Sequence, residues 1–215
     1  MKRFAVILCG CGASDGSEIH EAVMTLLAID RHKCHYSVFA PDENQYHVMN
    51  MFTKEEMPET RNMLVEAARI ARGNVLSLSE LDISQFDALI LPGGFGAAKN
   101  LCTYAFDGAN ATVYPPIAKI VKAAHQKQLP IGALCIAPVI LAKVLGKITI
   151  TVGNDPDTIA NVEQMGATHV NTQEGEVIAD KANRIFTTPC YMLPATVADI
   201  ADSADNLIRT ILENL

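Results

Sequence analysis

Short, continuously apolar runs alternate along the chain with longer segments in which apolar residues recur at helical spacing. Continuous apolar runs are typical of strands buried on both faces, whereas a helical period indicates amphipathic helices. The pattern predicts strands over residues 4–9, 36–40, 88–91, 131–134 and 147–152. It predicts helices over residues 18–31, 60–71, 117–126, 138–145, 158–165 and 195–213. Two further runs, 177–179 and 184–187, flank Lys181-Ala182-Asn183 and predict a β-hairpin.

Strands that alternate with helices favour parallel pairing, because the connection between two parallel strands must cross the sheet. The order of elements therefore predicts an α/β fold with an open, doubly wound, mostly parallel sheet and helices on both faces. A chain of 215 residues fits a single domain, residues 1–215. Residues 100–116 are the least regular stretch, and we expect a surface loop there. The apolar side of the first helix is predicted from four residues: Ile19, Val23, Leu26 and Leu27.

The charge balance narrows the possible partners of the protein. The formal net charge is −7 and no basic stripe is visible, so no nucleic-acid partner is expected. No apolar stretch is long enough to cross a bilayer, so no membrane partner is expected either. The first apolar run is too short for a signal peptide, and the N-terminus lacks an Arg- and Ser-rich presequence. A cytoplasmic location is therefore predicted.

The six cysteines are predicted to be reduced thiols, because nothing in the sequence indicates secretion. Cys9 and Cys11 are separated by one residue, and no second pair stands at the spacing of a structural zinc site. No H-E-x-x-H, Walker or G-x-G-x-x-G pattern is present, so neither a metal nor a cofactor is expected.

Residues that could bind a ligand or react follow three of the predicted strands, at positions 9–12, 92–96 and 132–138. Ligands of open parallel sheets bind beyond the carboxyl ends of the strands. At the third end, a strand stops at Cys135 and a helix starts at Pro138, which predicts a nucleophile elbow at Cys135. A helix N-terminus should favour the thiolate and lower the pKa of this cysteine. The alternative is that Cys135 is a small buried apolar residue.

The second strand end carries two consecutive glycines, Gly93 and Gly94. Their peptide N–H groups, together with the N–H of Ile136, could form an oxyanion hole or substrate-binding site. The alternative is a plain turn that ends the strand. The residue types at this position leave both interpretations open.

Two glutamates on the first helix are candidates for acid–base chemistry. Asp15 followed by Glu18 fits a helix capping pattern, which gives Glu18 a structural role. Glu21 lies one turn further along the same face. A carboxyl group beside a thiolate has a raised pKa and can donate a hydrogen bond to sulfur. The alternative for both glutamates is a solvated helix face.

Together these residues resemble the class I glutamine-amidotransferase-like superfamily, in the branch of PfpI-type proteases and the parkinsonism-associated deglycase. The similarity is greater still to one subgroup, the enhancing-lycopene-biosynthesis or isoprenoid-biosynthesis proteins with an amidotransferase-like domain. The segments that carry it span nearly the whole chain: 11–12, 15–21, 59–62, 66–70, 91–101, 135–138 and 187–189.

The resemblance implies a flavodoxin-like sheet with Cys135 as the nucleophile and a glutamate of the first helix as its partner. The distance of that glutamate from the second strand favours Glu21, with Glu18 in reserve. The subgroup is associated with a cofactor-independent glyoxalase activity that converts glyoxal to glycolate without glutathione. In the protease branch a histidine follows the cysteine. Ile136 stands there in this chain, which counts against peptidase and amidotransferase activity.

The resemblance thus predicts an enzyme of the glyoxalase type. The expected partners are a small aldehyde substrate and a second copy of the chain in a homodimer. The alternatives are another cysteine hydrolase or deglycase, or a non-enzymatic redox-sensing or scaffolding protein that affects isoprenoid metabolism. In the redox interpretation, Cys11 would serve as the resolving thiol for Cys135.

Overall fold

The computed structural model describes all 215 residues and has a central seven-stranded sheet with the strand order β3-β2-β1-β4-β5-β9-β8. All neighbours pair in parallel except β8 and β9, which form the predicted antiparallel hairpin. The strands of this sheet are β1 (Arg3–Ile7), β2 (His35–Ala40), β3 (Val75–Ser77), β4 (Ala88–Leu91), β5 (Ile131–Leu134), β8 (Ile178–Asp180) and β9 (Ile185–Thr188). A separate small sheet pairs β6 (Thr149–Ile150) with β7 (Thr168–His169).

Eight α-helices connect and flank the strands. They are α1 (Ile19–Arg31), α2 (Met63–Ile70), α3 (Phe95–Asn100), α4 (Tyr104–Asp107), α5 (Pro115–Gln126), α6 (Pro138–Leu145), α7 (Pro156–Gln164) and α8 (Val197–Glu213). The chain moves from β1 outward to β3 and then returns to β4 on the other side of β1. Right-handed crossovers in opposite directions place helices on both faces of the sheet. The predicted flavodoxin-like, doubly wound fold is confirmed.

The core lies on both faces of the central strands. Every residue of β4, β5 and β9 is buried, and four of the five residues of β1 are buried. Strands that are covered by helices on both sides need apolar residues at every position, which explains their continuous apolar runs. None of the helices combines the length and the apolar composition of a membrane span.

One strand of the main sheet, β3, lies where the sequence predicts no strand, and two predicted segments differ from the structure. The run at 147–152 forms only the short β6, which pairs with β7 outside the main sheet. Residues 100–116 are not a plain surface loop, because they contain α4, a short 3₁₀ helix and the start of α5. Buried side chains such as Tyr104 and Ala111 hold this segment against the core. Short helices of this kind form through tertiary packing, which local sequence patterns do not show.

Of the four residues that predict the apolar side of the first helix, only Leu26 is buried. Ile19, Val23 and Leu27 are all more than one third exposed, whereas Glu21 and Thr25 are buried. The cause is tertiary, since α1 packs against α8 and its N-terminal turn faces the carboxyl ends of the strands. Polar side chains on this buried face are costly unless they have a function or a partner.

Candidate active site

The site lies beyond the carboxyl ends of β1, β4 and β5, where the strand order reverses between β1 and β4. Such a reversal opens a crevice between neighbouring crossovers, which is where open α/β sheets bind ligands. A cavity of about 510 Å³ occupies this position. It is lined by Ala13, Glu18, His20, Gly94, Phe95, Tyr104, Cys135, Ile136, Thr158, Tyr191 and Met192.

Cys135 stands on a strained turn between β5 and α6. Its φ angle is 60°, in the left-handed region that non-glycine residues seldom adopt. The turn is held by hydrogen bonds from Cys135 N–H to Thr188 O (3.0 Å) and from Ala137 N–H to Leu134 O (3.0 Å). Helix α6 then starts at Pro138, a residue suited to a first helical turn. The backbone geometry is that of a nucleophile elbow, as the sequence predicts.

Two peptide N–H groups are aimed at the Cys135 sulfur. The N–H groups of Gly94 and Ile136 both lower the pKa of the thiol, and neither donates to a backbone carbonyl. Gly94 has a φ of 104° and no space for a side chain, because a Cβ there would lie 2.3 Å from the backbone nitrogen of Glu18. The two donors are therefore free to hold a negative oxygen or sulfur atom.

Gly93 has a different role from the expected one. Its N–H lowers the pKa of Glu21 rather than that of Cys135, and its carbonyl accepts a hydrogen bond from Glu18 N–H at 2.9 Å. A Cβ at Gly93 would lie 2.5 Å from both Cys135 Cβ and Glu21 Oε2. Glycine at this position lets the cysteine and the glutamate approach each other and docks the start of α1 on the end of β4.

Glu21 is completely buried beside Cys135. Burial raises its pKa to about 8, although hydrogen bonding to Cys135 and to peptide N–H groups lowers it in part. Its Oε1 accepts a long hydrogen bond from Tyr191 N–H (3.4 Å), and its Oε2 has no conventional partner. Glu21 is therefore protonated at neutral pH, and its carboxyl group forms a hydrogen bond with the Cys135 thiol.

The pKa of Cys135 moves in the opposite direction from the predicted one. The residue is only 7% exposed, and burial followed by the charge of Glu21 raises the pKa of the thiol well above its usual range. The helix N-terminus is present, but its effect is smaller than the cost of burying a charge. The prediction of a lowered pKa is therefore wrong, and activation of this thiol depends on Glu21 remaining neutral.

Glu18 is the N-cap residue of α1, and the structure places it away from the sulfur. Its Oε2 accepts a hydrogen bond from Glu21 N–H at 2.7 Å. Asp15, the N-cap predicted from the sequence, instead accepts a hydrogen bond from Met49 N–H at 2.8 Å. Between the two candidate glutamates, the geometry places Glu21 at the thiol and leaves Glu18 at the cavity wall.

The structure adds site residues that the sequence patterns do not reveal. Tyr191 lies in a 3₁₀ helix, Cys190–Met192, that follows β9, and its hydroxyl is 2.7 Å from His20 Nδ1. Cys190 has a φ of 44°, so a second strained residue turns this segment toward the cavity. Phe95 and Tyr104 come from α3 and α4, the two helices that sequence patterns miss. The one sequence signal nearby is the segment 187–189 that immediately precedes this helix.

Burial, followed by the charges of Glu21 and Cys135, raises the pKa of Cys190 well above its usual range, so this thiol lies near both groups although it does not line the cavity. The remaining thiols are placed elsewhere. The charges that act on Cys11 are those of Glu66, Arg69, Asp15 and Arg61, so Cys11 does not stand beside Cys135 as a resolving thiol. Cys34 and Cys102 are also buried away from the cavity. No lysine or arginine lines the cavity, and no group of three or more His, Cys, Asp or Glu residues is arranged to hold a metal ion.

Curated relatives cover nearly the whole chain. The human mitochondrial protein glutamine amidotransferase-like class 1 domain-containing protein 3 is 40% identical, across 98% of this chain and 82% of its own length. The zebrafish mitochondrial ES1 protein is 33% identical, across 88% of this chain and 77% of its own length. These relatives are named as mitochondrial proteins, so the prediction of a cytoplasmic location is wrong. Targeting is specified by segments that are separate from the folded core, and a fold therefore does not reveal its compartment.

Solved structures show the same architecture. An isoprenoid biosynthesis protein with an amidotransferase-like domain from Ehrlichia chaffeensis is 36% identical, with a TM-score of 0.92 over 99% of this chain and 100% of its own. Drosophila melanogaster DJ-1beta, at 18% identity and a TM-score of 0.59, covers 99% of this chain and 95% of its own and shares the fold. The model of the DJ-1/PfpI family matches residues 11–188, which include both Glu21 and Cys135. The chain belongs to the DJ-1/PfpI family.

Proposed function

We propose that the protein is a glutathione-independent glyoxalase that converts glyoxal to glycolate with Cys135 as the nucleophile. One observation carries the proposal: the Cys135 sulfur faces a neutral carboxyl group, Glu21, and two free peptide N–H groups inside a cavity. A nucleophile, a proton carrier and an oxyanion site are the groups that this reaction requires. The family includes cysteine-dependent enzymes of this kind, which is consistent with the proposal.

In the reactive state the pair has lost one proton, and the remaining proton moves from the thiol to Glu21, so that sulfur is negative and Glu21 is neutral. The N–H groups of Gly94 and Ile136 favour the charge on sulfur in this state. The sulfur attacks one carbonyl carbon of glyoxal, a C–S bond forms, and the carbonyl electron pair moves to oxygen. Glu21 gives its proton to that oxygen, which yields a hemithioacetal and a carboxylate.

The carboxylate of Glu21 then removes the C–H proton of the hemithioacetal, and the electron pair forms an enediolate. Glu21 returns this proton to the neighbouring carbon, and the hydroxyl proton of the thiol-bearing carbon moves to the oxygen of the neighbouring carbon. These two transfers leave a thioester of glycolate on Cys135. Water attacks the thioester, the C–S bond breaks, and glycolate leaves. The overall change adds one water to glyoxal and needs neither an oxidant nor a reductant.

The cavity wall fits an uncharged substrate. Its side chains are mostly apolar, and the nearest charged group is the carboxylate of Glu18 rather than a cation. A phosphorylated or carboxylated substrate would have to leave its charge unpaired in this cavity, which is costly. Ile136 also places an apolar side chain where a histidine would stand in the protease branch. These features favour a small aldehyde over a peptide or an amide.

The test is glycolate production from glyoxal by purified protein without glutathione. The wild type is expected to produce glycolate, at a rate below the median of roughly 10 s⁻¹ for enzymes, because its only buried proton carrier is a carboxyl group. Cys135→Ala is the matched inactive variant. A wild type that produces no glycolate, or a Cys135→Ala variant that is as active as the wild type, would overturn the proposal and favour a non-enzymatic role.

A further inference from the structure

A histidine and a tyrosine meet at the cavity, and the reaction proposed above uses neither. His20 Nδ1 lies 2.7 Å from Tyr191 Oη, and the two ring centroids are 5.9 Å apart. Both residues line the same cavity as Cys135. His20 comes from the first turn of α1 and Tyr191 from the 3₁₀ helix after β9, so the pair joins two distant parts of the chain.

The conversion of the hemithioacetal to the thioester moves two protons, not one. The first goes from carbon to the neighbouring carbon, and Glu21 can carry it. The second must go from the hydroxyl of the thiol-bearing carbon to the oxygen of the neighbouring carbon. Glu21 is a single carboxyl group, completely buried against the sulfur, and it is occupied with the carbon proton. A second proton carrier is therefore needed on the open side of the cavity.

We infer that His20 is this second proton carrier and that Tyr191 positions it, an inference that rests on the proposed glyoxalase reaction. Nε2 of His20 takes the hydroxyl proton with its lone pair, and the O–H electron pair becomes the carbonyl π bond of the thioester. The imidazolium then returns the proton to the oxygen of the neighbouring carbon. The histidine ends as it began, so the step balances without a co-reactant.

The contacts around His20 suit this role. Its Nδ1 is held by Tyr191, whereas its Nε2 makes no hydrogen bond within the protein. When Nδ1–H donates to Tyr191 Oη, Nε2 carries the lone pair that a base needs. Glu18 Oε1 lies 3.9 Å from Nδ1, too far for a hydrogen bond, so the tyrosine rather than the glutamate orients the ring.

Tyr191 also connects the two proton carriers. Its N–H donates to Glu21 Oε1 while its hydroxyl contacts His20, so one residue spans both groups. Burial, followed by the charges of Glu18 and Glu21, raises the pKa of Tyr191, which keeps its hydroxyl protonated at neutral pH. The pair provides an imidazole at the cavity although no histidine follows Cys135 in the sequence.

The test compares His20→Gln and Tyr191→Phe with the control His35→Gln, which changes an exposed histidine at the start of β2. Glycolate production gives kcat and KM, and mass spectrometry after brief exposure to glyoxal shows the adduct on Cys135. His20→Gln should lower kcat by about 10²-fold with little change in KM, because acid–base catalysis contributes about that much. Tyr191→Phe should lower kcat by a smaller factor, since the imidazole remains but loses its orientation. The control should match the wild type.

The adduct separates this inference from the glyoxalase proposal. In His20→Gln, an adduct with the mass of glyoxal should accumulate on Cys135, because carbon–sulfur bond formation does not need the histidine. Wild-type kcat in His20→Gln would overturn the role of His20 and leave the glyoxalase proposal intact. Loss of the adduct in a His20→Gln variant that melts like the wild type would also overturn it. A wild type that forms neither adduct nor glycolate would overturn the glyoxalase proposal itself.

Discussion

Two cysteines, Cys9 and Cys135, follow buried parallel strands at the same edge of one sheet, and only one of them faces the cavity. Cys9 follows β1, its N–H donates to Ser17 Oγ at 2.9 Å, and its sulfur lies 3.5 Å from the same oxygen. Burial raises the pKa of Cys9 to about 12. Cys135 follows β5, and its sulfur instead faces Glu21 and the N–H groups of Gly94 and Ile136.

The difference lies in which residue takes the strained backbone conformation. After β1, Gly10 and Gly12 adopt the positive φ angles, 109° and 154°, and the chain folds back so that Ser17 covers Cys9. After β5, Cys135 takes the positive φ itself, which directs its side chain away from the strand and into the cavity. The strained φ angle of the cysteine, rather than its position at a strand end, therefore directs the thiol into the cavity.

The largest expected effect comes from removing each sulfur in turn. Cys135→Ala should abolish glyoxal turnover, because no other thiol lines the cavity. Cys9→Ala should leave turnover within about two-fold and cost about 1 kcal/mol of stability, as deletion of a small buried group does. Glycolate assays with parallel chemical denaturation measure both quantities. Equal loss of activity in the two variants would remove the distinction between the two strand ends.

A methyl group at Gly93 should produce the next largest effect. Gly93→Ala places a Cβ 2.5 Å from Cys135 Cβ and 2.5 Å from Glu21 Oε2, and the backbone oxygen of Leu134 is 2.9 Å away. The thiol and the carboxyl group must separate, and a misplacement of this kind lowers turnover by about 10²-fold. The control is Gly73→Ala, where φ is +83° but nothing lies within 4 Å of the added Cβ. This control should lose stability without losing turnover, and the opposite ranking would contradict the packing argument.

Glu21 should make the stability of the protein depend on pH. The unfolded carboxyl group loses its proton near pH 4.5, whereas the folded one keeps it up to about pH 8. The folded state therefore binds the extra proton within this window, so the free energy of unfolding falls as pH rises from 4.5 to 8. The slope from this group is at most about 1.4 kcal/mol per pH unit.

Glu21→Gln removes that slope, because an amide does not titrate. As pH rises from 5 to 8, the free energy of unfolding of the variant should increase relative to that of the wild type. The variant should also lose turnover. Chemical denaturation at several pH values measures the difference between the two proteins, so that the titration of other groups cancels. Identical pH profiles would show that Glu21 is not held neutral by burial.

The smallest expected effect belongs to Glu18, the cap of the same helix. In Glu18→Gln the amide oxygen can still accept the hydrogen bond from Glu21 N–H, so only the interaction of the charge with the helix dipole is lost. The expected cost is about 0.3–1 kcal/mol, measured by thermal denaturation. The pH dependence of Cys135 alkylation should shift only slightly, because the charge of Glu18 raises the pKa of Glu21 less than burial does. A shift in that profile larger than the one caused by Glu21→Gln would make Glu18 the partner of the thiol.

The sequence by itself determines the elbow and every strand of the central sheet except β3, which no apolar run predicts. Continuous apolar runs identify β1, β4 and β5, because strands covered on both faces need apolar residues at every position. Cys135 and Pro138 mark a strand-to-helix turn by residue type alone. Glu21 is reached only through the resemblance to a family, since local patterns leave Glu18 equally available.

Tertiary structure determines the environments of side chains, which local sequence patterns do not encode. It turns α1 so that Glu21 is buried beside the sulfur, whereas Ile19, Val23 and Leu27 are exposed. It also raises rather than lowers the pKa of Cys135, because burial depends on neighbours that are distant in sequence. The meeting of His20 with Tyr191, 171 positions apart, is likewise invisible to any local pattern. A side chain's environment comes from the packing of distant segments, and only the folded chain specifies it.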